Sequence, residues 1–545
     1  MRFHSKADVI LSSHAVFTGL TNQPYHADIA IIENKIAAIG SKEEIIPYIG
    51  PDTKIYDFGN QLILPGFHDF HLHIMAGGLA LNSVNLFAAR SQAEAIQMVR
   101  KYAERNPGDS WIIGFKWDSG RWNDKQPPHR SALDVYFPDR PIVLFSLDSH
   151  YAWVNSKALE IAKISSESKD PDYGFIEKDL NGEPTGILVE GAISFVTKHA
   201  YDFSQTQKRQ LLQRFLTEAA RFGVTSVNNM FGSAATLDDY QMFQEFEKTG
   251  NLTTRIHLFP ALDGDIKSAK RLRDTYSSKK LRVSGLKQFI DGVISNSTAF
   301  LIEPYSDNSS TETKLAHPPE TIKRWVVEAD QEGFSVRFHA IGDGAVRLAL
   351  DAYETAKQVN GVRDSRHSVE HVEVIHPDDL PRFHDLGVIA SMQPGLLANT
   401  ERGLYTSRIG EDRAKYAFAI KTLQNAEATI AFGTDFPIDP LNPMHQIHKA
   451  VTRLDSSGKQ EWNPNEAITL AEALKAYTYG SAYGTFREDE LGTLEAGKLA
   501  DLIVLDRNLF EISEEEIMET QVELTMVDGN IVFNRSNVDQ DIKQR

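Results

Sequence analysis

The sequence predicts an α/β fold: a (β/α)8 TIM-like barrel, with a small β-sandwich built from both ends of the chain and a large insertion after the first barrel strand. Three features predict it. Through the middle of the 545 residues, apolar β-like runs alternate with amphipathic helical stretches. At both ends, short segments alternate apolar and polar residues between turn residues, as half-buried strands do. Between the first two barrel runs lies a stretch, about residues 80–220, that is too long for a simple crossover.

The N-terminal part, residues 1–62, holds ADVILSSHAVFTG and HADIAIIENKIAAIG. The C-terminal part, residues 486–545, returns to the same style in GKLADLIVLD and VELTMVDGNIVFN, with Asp528-Gly529 at a hairpin turn. Neither end has enough strands for a core of its own, so the two are expected to share one sandwich around residues 63–485. Eight barrel strands are expected, at 62–73, 223–230, 255–262, 283–292, 334–343, 366–374, 387–394 and 428–437, with helical patterns at 208–222 and 319–333 between them. The insertion carries apolar runs of its own and four of the six tryptophans, Trp111, Trp117, Trp122 and Trp153. They are expected to wall a substrate pocket, or else to build the insertion's own core.

Composition narrows the function. There are no cysteines, which excludes disulfides, thiolate metal sites and cysteine nucleophiles. A net charge of −18 argues against nucleic acid and anionic membranes as partners. No stretch approaches the ~20 apolar residues of a membrane span, and the first residues lack a signal-peptide core. A soluble, cytoplasmic protein is expected.

Active groups of a parallel barrel gather where strands end and loops begin. His71 and His73 end the first run, and their spacing of two puts both imidazoles on one side of the chain. His339 ends the fifth run, His371 lies in the sixth, Asp435 ends the eighth and Lys287 lies within the fourth. With 18 histidines in the chain, His-x-His alone means little. Further histidines and an aspartate at matching ends of separate strands mean more: imidazoles and one carboxylate suit Zn²⁺ or a similar divalent ion, with a position open to water.

These residues sit in motifs that resemble a known family. PGFHDFHLH is similar to the PGF-x-D-x-H-x-H opening of the amidohydrolase superfamily, and FHAIGDGAV, SVEHVEVI, ASMQP and FGTDFPIDP follow in the same order. HYAWVNSKAL, NGEPTGILVE and GLKQFIDGVISNSTAFL resemble signatures of its "amidohydrolase 3" branch, which includes YtcJ-like proteins and N-substituted formamide deformylases. The resemblance implies metal ligation by His71, His73, His339, His371 and Asp435, with one ion or two. It implies a carboxylated Lys287 bridging two metals, since an unmodified lysine would bring a cation beside a metal. The alternative is a lysine paired with Asp291 or another carboxylate. Glu190 is a second-choice anionic ligand.

The implied reaction is hydrolysis of a non-peptide C–N bond in a small amide, formamide or cyclic amide. Asp435 would act as general base and then acid, with His150 or His371 bonding the oxyanion. Asp69, two residues before His71, is expected to orient an imidazole or to make an inward structural bond. Asp148 and His150 end an insertion strand and would contact substrate or cap a loop. Asp291 has a turn or a substrate amine as its role, and Gln393 is similarly divided. Other readings are an esterase or lactonase, a ring deaminase, or a non-catalytic barrel that binds a metabolite. Such barrels often pair, so a homodimer is a family-level expectation.

Overall fold

Strands Phe67–Leu72, Val224–Met230, Arg255–Phe259 and Val336–Ala340 are buried at every residue. Continuous burial of this kind belongs to parallel strands covered on both faces. In the computed structural model, which describes residues 5–108, 110–123, 127–147, 149–232, 237–399, 401–455 and 457–536, these strands lie in two parallel arcs. One arc runs Leu281–Val283, Arg255–Phe259, Val224–Met230, Phe67–Leu72. The other runs Leu286–Phe289, Val336–Ala340, Ser368–His371, Ile389–Met392, Thr429–Phe432.

The sequence suggested one closed eight-stranded barrel, and the hydrogen-bonded ladder is not closed. Among the described residues, single parallel bridges, Leu72 to Phe436 and Ala261 to Lys287, are the β-pairings between the arcs. Both seams have local causes. The expected fourth strand is cut at Ser284-Gly285 into two pieces that pair with different neighbours. Gly285 is required there, because a Cβ would sit 2.6 Å from the Phe259 ring and 2.7 Å from the Ser335 carbonyl. At the other seam Asp435 has φ 55, which turns the chain out of the ladder after Phe432.

Helices cover the arcs. Gln205–Arg221 opens on a capping box between Ser204 and Gln207 and buries Leu211, Leu212, Phe215 and Leu216. Pro319–Gln331 starts with proline at its first position, where the missing N–H costs no hydrogen bond.

The insertion forms a mixed six-stranded sheet, in which Ile112–Trp117 and Ile142–Ser146 pair in parallel and Tyr151–Val154, Pro184–Glu190 and Gly174–Lys178 follow antiparallel. Trp117, Trp122 and Trp153 are buried in its own core with Ile112, Leu144 and Ile187, while Trp111 packs against the main core. The aromatic pocket wall is therefore replaced by the alternative, an internal core. These large rings need more apolar cover than a solvent-open wall offers.

Strands from both ends of the chain join in one eight-stranded sheet. Leu62–Pro65 pairs with Val9–Val16 on one side and Leu502–Leu505 on the other, so the two ends of the chain are joined in a single ladder. Leu11, Ile29, Ile31, Ile63, Leu502, Val504 and Leu524 share its core. Asp528 (φ 55) and Gly529 (φ 74) make the hairpin turn between Val522–Val527 and Asn530–Asn534. Arg255 ties this sheet to the arcs: its Nε and Nη2 donate to the two Asp501 oxygens at 2.7 and 2.9 Å. Among the described residues no helix is long and apolar enough to cross a membrane.

Candidate metal centre

His71 and His73 project from the end of Phe67–Leu72, and both reach the same oxygen. His71 Nε2 is 3.4 Å and His73 Nε2 is 3.3 Å from Asp435 Oδ1. The second nitrogen of each ring is occupied elsewhere. His71 Nδ1 lies 2.6 Å from Glu370 Oε2, and His73 Nδ1 lies 2.9 Å from the Met230 carbonyl. Such partners fix the tautomer and leave Nε2 as the ligating atom. His371 follows the same plan, with Nδ1 2.8 Å from Gln393 Oε1 and its ring centroid 4.9 Å from that of His71.

Among the described residues, His71, His371 and Asp435 each offer a ligand atom within 4.8 Å of the others. His73 joins them through Asp435. His339 stands beside them, 4.5 Å from His371 between ring centroids, with Nε2 turned 3.2 Å from the Gly292 carbonyl. Lys287 Nζ is buried, has no hydrogen-bond partner among the described residues, and lies 4.8 Å from the Phe289 ring centroid.

The remaining candidates are placed as follows. Asp69 does not orient an imidazole. It accepts from the His71 and Thr434 backbone N–H at 3.2 and 3.0 Å, from the Thr434 hydroxyl at 2.7 Å and from Tyr477 at 3.2 Å. It thereby pins the strand bearing His71 to the loop bearing Asp435. Asp291 accepts backbone N–H bonds from Phe300, Ile341 and Gly342 and lies 4.0 Å from His339 Nε2, and it makes no ion pair with Lys287. Glu190 takes His150 Nδ1 between its oxygens at 2.9 and 2.8 Å rather than meeting the His71–His371–Asp435 group. His150 brings the insertion to the centre, with its ring 6.2 Å from that of His339. Asp148 lies outside the described residues.

Sequence reasoning missed Glu370, although it falls inside SVEHVEVI. Strand alternation assigns neighbours to opposite faces, yet Glu370 and His371 both approach His71. The reason is local: His371 has φ 80 and Val372 φ 47, so the pleat ends at Glu370 and His371 leaves it. Two adjacent polar residues at the very end of an apolar strand were the available signal.

Burial is the largest influence on the imidazoles, and Lys287 or a neighbouring histidine adds to it. His71, His339 and His371 are all held well below the usual histidine value and so stay neutral. Burial alone would raise Asp435, but His71, His73 and Lys287 outweigh it and hold the carboxyl below its ordinary value. Burial pulls Lys287 down to about 8, against the opposing pull of Glu370 and Asp435. Burial lifts Asp69 and Asp291 to about 7. Neutral imidazoles facing a charged carboxylate are the protonation states that metal ligation requires. Among the described residues the Lys287 amine has no hydrogen-bond partner, although Glu370 and Asp435 act on it electrostatically. The donor set fits a divalent metal.

Residues 54–533 match the family described as "Amidohydrolase family". YtcJ of Bacillus subtilis (strain 168) is 30% identical over 96% of this chain and 98% of its own. The N-substituted formamide deformylase of Arthrobacter pascens is 26% identical over 92% of this chain and 94% of its own. The crystal structure of an uncharacterised metal-dependent hydrolase from Pyrococcus furiosus superposes with a TM-score of 0.72 and 29% identity, covering 92% of this chain and 99% of that one. The chain belongs to the amidohydrolase family, in its YtcJ-like amidohydrolase 3 branch, and is a metal-dependent hydrolase of carbon–nitrogen bonds.

Proposed function

We propose that the substrate is a small amide, formamide or cyclic amide, and that His71, His73, His339, His371 and Asp435, with a carboxylated Lys287, hold one or two zinc ions. The observation that carries this reading is the meeting of His71, His371 and Asp435 ligand atoms within 4.8 Å, next to a buried lysine amine without a partner. When bound, such an ion brings the pKa of a coordinated water down towards about 7 and polarises a carbonyl oxygen. Asp435, charged at neutral pH, accepts the water's proton and returns it to the leaving nitrogen.

Of the two imidazoles considered for the oxyanion, His150 is favoured. His371 is held neutral by burial, and Gln393 occupies its Nδ1. His150 Nδ1 is held by the Glu190 carboxylate, which orients the ring and leaves that role to Nε2. His371 then serves as a ligand, and Asp291 holds the loop around Gly342 beside His339. The two parallel arcs are proposed to work as one (β/α)8 barrel, residues 63–485, presenting these groups at the strands' C-terminal ends. Residues 1–62 and 486–545 are proposed to form a composite domain beneath it.

The test is metal analysis of the purified chain, combined with turnover of matched N-acyl, ester and ring-amidine panels. Release of amine from the N-acyl panel, abolished in Asp435→Asn when turnover is counted per bound metal, is expected. Turnover confined to esters or amidines overturns the choice of bond. A chain without divalent metal overturns the centre.

A further inference from the structure

Under the proposed centre lies a buried polar assembly that the mechanism above does not use. Glu370 Oε2 lies 2.6 Å from His71 Nδ1 and also accepts from the Ser391 hydroxyl. Its Oε1 accepts from the Ser368 hydroxyl at 2.6 Å, and Arg337 Nη1 lies 3.8 Å away. Arg337 is itself fixed. Its guanidinium sits between the Phe70 and Phe259 rings, 3.8 and 3.9 Å from their centroids, and donates to the Phe70 and Gly484 carbonyls. Glu370, Arg337, Ser368 and Ser391 are all wholly buried.

A carboxylate in such a place costs several kcal/mol of desolvation, and apolar residues would fill the core more cheaply. The donors around it leave one connection outward. Two hydroxyls and a guanidinium hold the carboxylate in place, and its remaining partner is the imidazole that faces Asp435. Strand geometry adds to this: Glu370 is paired opposite His339 and meets His71, while His371, still in the strand but at φ 80, approaches the same imidazole.

We propose that Glu370 is a positioning residue of the metal centre. It keeps the His71 hydrogen on Nδ1 and so holds Nε2 out as the ligand atom, while Ser368, Ser391 and Arg337 hold Glu370. This rests on the metal-centre reading above. A carboxylate behind a ligating imidazole fixes the ring and raises its basicity, and loss of such a partner typically weakens metal binding about 10- to 100-fold. Glu370→Gln preserves shape but removes the charge, and its amide can present a donor where Nδ1 also needs to donate. Ser391→Ala keeps the charge and removes one clamp.

The experiment loads the full chain with Co²⁺ and records its visible absorption, then titrates a chelator against the Zn²⁺ form and measures retained metal. Melting of the metal-free proteins reports folding separately. The expected result is a melting curve close to the parent for Glu370→Gln, altered Co²⁺ bands, and release of zinc at a tenfold or more lower chelator concentration. Ser391→Ala should shift in the same direction by less. Unchanged bands and unchanged retention in Glu370→Gln overturn the proposal, as does a variant that melts earlier yet holds metal like the parent. If Glu370→Gln does not fold, Ser391→Ala decides alone, and parent-like retention there overturns it. A parent chain that takes up no divalent ion overturns the metal reading itself and this inference with it, whereas a parent that binds metal leaves the two results distinct.

Discussion

Asp435 Oδ1 lies 3.4 Å from His71 Nε2, which joins the end of the first parallel strand to the loop after the last one. The same oxygen meets His73, so a single carboxylate closes the His-x-His pair. Asp435→Asn keeps the shape and removes the proton acceptor. Because Asp435 is also a proposed ligand, the variant is expected to lose some metal and, per bound metal, to lower kcat by about 10²- to 10⁴-fold. His71→Ala is expected to lower metal content itself. Steady-state kinetics beside elemental analysis of both variants checks the division of roles.

Lys287 supplies a second test, because its amine is buried and unpartnered. Burial holds it at about 8, so roughly one amine in ten is neutral at pH 7 and able to add CO₂. Mass measurement under gentle non-denaturing conditions is expected to find one CO₂ adduct per chain. The adduct should disappear in Lys287→Met along with part of the bound metal. An unadducted parent that still carries its full metal complement would remove the carboxylated ligand from the site.

His68 points to a pH dependence of stability. It is buried with Nε2 2.9 Å from Asn228 Oδ1, and burial, aided by Arg337 and Arg487, lowers it to about 3. An unfolded imidazole titrates at about 6.5, so between these values the unfolded chain binds the extra proton. The stability His68 confers is therefore complete above about pH 6.5 and is lost as the pH falls towards about 3. His68→Gln is expected to flatten the acid limb by up to about 1.4 kcal/mol per pH unit. Urea unfolding of parent and variant between about pH 4 and 6.5 gives the difference.

Arg255 and Asp501 bear on stability as well, since they join the parallel strands to the composite end sheet while buried. Removing Asp501 leaves the buried Arg255 guanidinium with Asp528 as its carboxylate partner. Asp501→Ala is expected to cost about 3–5 kcal/mol, read by chemical unfolding of the metal-free protein. A loss below about 1 kcal/mol would show that the two units do not depend on this ion pair.

Much of this protein was legible along the chain. His71 and His73 were readable as a pair because a strand repeats every two residues, and both do reach one oxygen. Most parallel strands followed from apolar runs, although the first run, 62–73, also holds the end-sheet strand Leu62–Pro65, and the 522–534 hairpin followed from Asp528-Gly529. What local pattern could not supply is where the pattern stops. Alternation fails at His371, whose positive φ brings Glu370 and His371 to the same imidazole. The fourth run is divided at Gly285 by the Phe259 ring, a neighbour distant in sequence. The insertion's tryptophans turned inward because the sheet around them offered cover that composition does not record.

The sequence by itself determined which residue types stand at the strand ends, and hence the chemistry available to the chain. Only the tertiary structure decided their partners: Asp69 to the Thr434 backbone, Glu190 to His150, Glu370 to His71, and none for Lys287. The physical reason is that periodicity reports the burial of one residue at a time. A hydrogen bond between side chains hundreds of residues apart depends on the packing that closes the space between them.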